Sequence, residues 1–191
     1  MHMLIAFIVY ANNPDEAFRH AKDLAVELVS KEVFDYCLSF HDEYATARWG
    51  KIPPVLEADS KEGKQLIQRL MDYTWKEFKA NIGIIRKLLR EFTDEEIFEE
   101  EPSELKRIAA GLQNKKDRFW MLHMNRAYFY DCARFLGSHS VFLFDNDGEP
   151  IATRRHLQCV LNKWADLYKN SERPNPYANK KIYVVPFDAH F

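Results

Sequence analysis

Side chains that could do chemistry gather in three stretches of the chain. The first pairs the run Asp145-Asn146-Asp147-Gly148 with Asp188 and His190 near the C-terminus. Carboxylates with imidazole suit Mn, Zn or Mg, and a divalent metal so held can activate water for phosphate-ester hydrolysis. The same run also has the composition of an ordinary turn, because Asp and Asn bond their own backbone and Gly supplies a positive φ. The second stretch is Thr153-Arg154-Arg155-His156. Thr153 can cap a helix there, and Arg154 and Arg155 beside free N–H groups would suit an anion or phosphate. The third is His41, Asp42, Glu43 and Arg48, to which Asn12, Asn13 and His139 could add a polar wall. A His-Asp-Glu set can ligate a metal or exchange protons, and it can equally be the polar tip of a hairpin.

These residues cooperate only if the fold brings them together. Met3 to Tyr10 is continuously apolar and predicts a strand buried on both faces. Asn13-Pro14-Asp15-Glu16 is a helix start, and Phe18, Ala21, Ala25, Leu28 and Val29 continue it at helical spacing to about Ser30. Val33 to Phe40 alternates as a second strand, which Tyr44 to Trp49 either extends or folds back upon as a hairpin arm. Residues 50–136 read as helical, with a long segment from Ser60 to Phe92, an acidic run Asp94–Glu101 and an aromatic helix Phe119–Phe135. Ser140 to Asp145 predicts a third strand, Thr153 to about Asn170 a helix, and Lys181 to Phe191 a last strand. Pro186 inside that strand points to a sheet edge.

Without the helical middle, the order is β-α-β, insertion, β-α-β. That predicts an α+β, ferredoxin-like antiparallel sheet of order 4-1-3-2, with a large all-helical insertion between strands 2 and 3. Residues 1–49 and 137–191 would form the sheet domain and 50–136 the insertion. With strand 1 antiparallel to strands 3 and 4, Asp145, Asp147, Asp188, His190 and His2 should meet at one end of the sheet. His41, Asp42, Glu43, Arg48 and His139 should lie at the other end, in a crevice beside the insertion.

Composition narrows the function. A net charge of −2 without a block of one sign gives no electrostatic argument for nucleic acid or anionic lipid as partners. The three Cys have no zinc-type spacing and suit reduced thiols in a cytoplasmic protein. The N-terminal apolar run is too short to span a membrane. No P-loop, HExxH or dinucleotide fingerprint is present. The leading expectation is a binding or regulatory module for a small anionic ligand or a protein partner at the sheet–insertion junction. The alternatives are a metal-dependent phosphate-ester hydrolase and a subunit that forms a homodimer through a sheet edge.

Overall fold

The computed structural model describes residues 2–91, 141–169 and 171–190. The chain divides into two compact units, Met1–Trp75 with Ser138–Phe191, and Lys76–Gly137. The second unit is described only where it continues a helix, through residue 91. The acidic run, the aromatic helix and His139 lie outside the described residues.

In chain order the elements are β1 (His2–Ala11), α1 (Pro14–Ser30), β2 (Tyr36–Ser39), α2 (Glu43–Trp49), β3 (Leu56–Glu57), α3 (Lys61–Glu91), β4 (Leu143–Phe144), α4 (Arg154–Leu161), α5 (Ala165–Tyr168) and β5 (Lys181–His190). The helix starts obey their caps. Asn13 accepts the Glu16 N–H, with Pro14 at the first position of α1. Asp42 accepts the Tyr44 N–H, so Glu43–Trp49 is helix and not a strand arm. Thr153 accepts the His156 N–H and opens α4. The expected run to Asn170 breaks at Lys163 and Trp164, both with positive φ, and Trp164 N–H turns back to the Cys159 carbonyl.

The antiparallel ferredoxin-like plan does not hold. The sheet is mixed, with order β2-β5-β1-β4, and β3 also pairs with β5. β1 and β4 are parallel (Ala6 opposite Leu143), whereas β1 and β5 are antiparallel over their whole length. The long helix follows β3 rather than the second strand. The last strand is therefore interior, and Pro186 does not mark an edge strand. The register explains why the sheet accepts it. Ala6 N–H bonds the Phe142 carbonyl on the β4 side, so Ala6 and its partner Pro186 form a pair without mutual hydrogen bonds. The Pro186 nitrogen then faces the other way, into a gap. β2 pairs only with residues 187–190 of β5, and β3 only with 183 and 184. No ladder bond is lost where proline has no N–H to give.

Side-chain alternation gives the sheet two cores. Met3, Ile5, Phe7, Val9, Tyr183, Val185 and Phe187 face α1. Leu4, Ala6, Ile8, Tyr10 and Val184 face the other way, against Leu66, Ile67 and Leu70 of α3 and Val160 of α4. No helix among the described residues is long and apolar enough to cross a membrane.

Two substitutions test the register. Pro186→Ala should change the unfolding free energy by less than about 1 kcal/mol in urea. Val185→Pro removes an N–H directed at β1 and should abolish cooperative unfolding. Equal tolerance of both would refute the β1–β5 register.

Candidate functional site

The strand directions divide the first predicted cluster between opposite ends of the sheet. Asp188 sits opposite Leu4, near the start of β1. Asp145 follows β4, and its neighbour Asn146 accepts the Tyr10 N–H near the end of β1. Asp145 and Asp147 thus lie together, and Asp188 and His190 lie elsewhere. Among the described residues no group of three or more His, Cys, Asp or Glu side chains is placed to hold a metal ion.

At the Asp188 end, residues from two predicted sites converge. Asp188 is fully buried on the face shared with Leu4 and Leu38. Its Oδ1 accepts the Trp49 Nε1–H at 2.9 Å and the His2 Nδ1–H at 3.1 Å. Arg48 Nε lies 3.5 Å from Oδ2, an ion pair without a hydrogen bond, and Oδ2 accepts none from any described group. Beside it, His190 Nδ1 meets Asp35 Oδ2 at 2.9 Å, and the Tyr36 ring stacks on His190. His2 from β1, His190 from β5, Tyr36 from β2 and Arg48 and Trp49 from α2 are so tied to one end of the sheet. Trp49 went unnoticed in the sequence. Its signal was a donor-bearing ring next to an Arg at the end of a short capped helix.

At the other end, parallel neighbours β1 and β4 lead to helices on opposite faces: α1 joins one core and α4 the other. In open sheets such a divergence opens a crevice beyond the carboxyl ends of the two strands. The Asp145-Asn146-Asp147-Gly148 turn closes its α1 side. Asp145 Oδ1 accepts the N–H groups of Asp147 and Glu149, and Gly148 supplies φ +79°. The Asn146 carbonyl accepts the His20 Nε2–H at 2.8 Å. Asp145 Oδ2 meets His156 Nε2 at 3.2 Å, while Arg154 and Arg155 remain exposed. Asp145 is therefore occupied as a turn-former. The third predicted set disperses: Asp42 caps α2, His41 packs its ring edge-on to Phe18, Glu43 is exposed, and Arg48 joins Asp188.

A separate concave place lies on the α3–α4 face, by β3 and the start of β5. A groove of about 720 Å³ runs between α3, α4 and the start of β5. Its floor is Ala58, Ile67, Leu157, Leu161 and Ile182, and its rim carries Lys64, Lys163, Lys180 and Lys181. Gly63 makes the narrow wall possible, because a Cβ there would collide with the Glu57 carbonyl oxygen. The rim lysines differ in their ties. Lys181 bonds Glu57 at 2.8 Å, Lys180 lies 3.7 Å from Glu16, and Lys163 donates to the Ala178 carbonyl. Lys64 has no ion-pair partner among the described residues. Sequence reading missed this basic rim because its members come from three separated segments and become neighbours only through folding.

Near this groove burial, then the charges of Asp145, Tyr177 and Asp147, push the Tyr10 hydroxyl far above its usual range. It donates to the Val160 carbonyl at 2.8 Å and serves as a structural tie. On the α1 face, burial and then the Asp188 charge push the Cys37 thiol up to about 12. Thiolate is the reactive form, so Cys37 is not an activated nucleophile.

Removing the Asp188 carboxylate strands the Trp49 and His2 donors and leaves the exposed Arg48 without its counter-charge. Asp188→Ala should cost about 1 to 3 kcal/mol in urea unfolding, and a loss under about 0.5 kcal/mol would contradict the role of the carboxylate as their acceptor. Cys37 holds its proton in the fold to about 12, against 9.0 when free. Its contribution to stability is complete below pH 9 and is lost as pH rises from 9 to 12. Cys37 alkylation mapped at pH 8 should be at least tenfold slower in the folded chain than in urea; equal rates would refute the burial.

No curated protein and no solved structure matches the chain. Residues 1–111 match the family model described as domain of unknown function DUF7995, a span that includes β1 to β3 and the described part of α3. By that match the chain belongs to the DUF7995 family.

Proposed function

We propose that the protein is a binding module for a small anionic ligand, held in the groove between α3 and α4. The observation that carries this reading is the basic rim. Four lysines line a groove whose acidic members are Glu57 and Asp59, in a protein of net charge −2; Lys181 is paired with Glu57 and Lys180 with Glu16 of α1, and Lys64 has no ion-pair partner among the described residues. Positive charge is concentrated at one concave place against the overall balance. The volume falls in the range of small-molecule sites, and an apolar floor with few polar groups is their usual lining. Lys64 supplies a cation that no described carboxylate neutralises.

The test is thermal unfolding of the full chain at fixed ionic strength with phosphate, citrate, a nucleoside monophosphate or octanoate. A bound anion at about 100 times its Kd adds about 2.7 kcal/mol, which is a rise in Tm of roughly 5 to 10 °C for a chain of this size. Lys64→Glu places a like charge on the exposed rim and should remove more than half of that rise. Absence of any shift in the wild type, or an equal shift in the variant, would refute the reading.

A further inference from the structure

We infer that the ligand is an amphipathic anion: a single carboxylate or phosphate head on a linear alkyl chain. This rests on the anion-binding reading above and goes beyond it by naming the other half of the molecule. The groove is not a basic patch on a polar surface. Ala58, Ile67, Leu157, Leu161 and Ile182 form a continuous apolar floor contributed by the β3–α3 connection, α3, α4 and β5. All five belong to, or pack against, the core on that face of the sheet: Ala58 and Ile67 within it, Leu157, Leu161 and Ile182 against it. The floor is therefore held rigid by the core beneath it.

A small polar anion would use the lysines and leave the half-buried Leu157, Leu161 and Ile182 facing water. An alkyl chain covers them. The lysines are distributed to suit one head group and one tail. Lys180 and Lys181 lie at the start of β5 beside the end of β1, Lys163 follows α4, and Lys64 stands in the first turns of α3. On α3, Lys64 stands one turn before Ile67 on the same face, and α4 carries no lysine between Leu157 and Leu161. Lysine is suited to this place because its own methylenes cover apolar surface while the ammonium stays in water. The chemistry is shared by free alkyl carboxylates and alkyl phosphates, and chain length and head are separable in experiment.

The experiment is isothermal titration calorimetry of the full chain with sodium alkanoates of increasing length, all below their micelle concentrations. Octyl phosphate, 1-octanol and inorganic phosphate complete the panel. Each added methylene should tighten binding by about two- to fourfold until the floor is covered, the upper figure corresponding to full burial at about 0.8 kcal/mol per CH₂. Octanoate and octyl phosphate should both bind at least tenfold tighter than 1-octanol, and the tighter of the two identifies the head. Gln68→Trp fills the groove from an exposed wall position and should shorten the length at which affinity stops rising, while leaving Tm unchanged without ligand. Equal affinity across chain lengths, with inorganic phosphate binding as well as octanoate, would overturn the alkyl-chain inference and leave the anion reading standing. Octanol binding as tightly as octanoate would overturn the role of the head. No binding by any anion would overturn both.

Discussion

The antiparallel pairing of β1 with β5 is the constraint on which the rest of the structure depends. Ten residues of one strand face ten of the other, from His2 opposite His190 to Ala11 opposite Lys181. The first and last elements of the described sheet thereby become its spine. β4 adds to the outer side of β1, and β2 and β3 add to the outer side of β5. Both faces of the spine are buried, which leaves residues 3–11 and 183–189 without exposed positions. Burial on two faces excludes polar side chains unless they are paired. The one buried charge in β5, Asp188, is accordingly tied to Trp49, His2 and Arg48.

The spine also decides where a ligand can sit. Its ends differ in kind. At the Asp188 end, imidazoles, a carboxylate and α2 close upon one another in short-range contacts. At the opposite end, the parallel pair β1 and β4 sends α1 and α4 to different faces, and the chain cannot fill the space between without help. The Asp145–Gly148 turn fills the α1 side through Asn146 and its bonds to Tyr10 and His20. On the α3 face, by β3 and the start of β5, a groove lined by lysines stays open. A cluster whose buried carboxylate is held by Trp49 and His2 is a fastening, whereas a concave apolar floor with a basic rim offers surface to a partner molecule.

Local signals in the sequence were enough for much of the element list. The start of α1 at Pro14 was legible because Asn13 and Glu16 fix it, β1 was legible as an unbroken apolar run, and β5 was legible as a strand. Sheet order was not legible, because pairing is non-local. Pro186 was given the meaning it usually has, yet the gap between β2 and β3 is a property of the assembled sheet. The continuous burial of β5 was the better guide to its interior place. Asp42 was visible as a polar residue, but its role as a cap made the following segment α2 and carried Arg48 and Trp49 to Asp188. The two halves of the Asp145/Asp188 cluster separated once β4 ran parallel to β1. The groove could not be anticipated, since Lys64, Lys163 and Lys181 share no motif and only the fold makes them neighbours.

The central claim is that the groove between α3 and α4 takes an anion with an apolar chain. Methyl NMR with isotope-labelled Ile and Leu, during titration with octanoate, tests it most directly. The account predicts saturable shifts at Ile67, Leu157, Leu161 and Ile182, with Leu4 and Leu38 beside Asp188 unmoved. Shifts confined to Leu4 and Leu38, or no shifts at all at the groove, would contradict it.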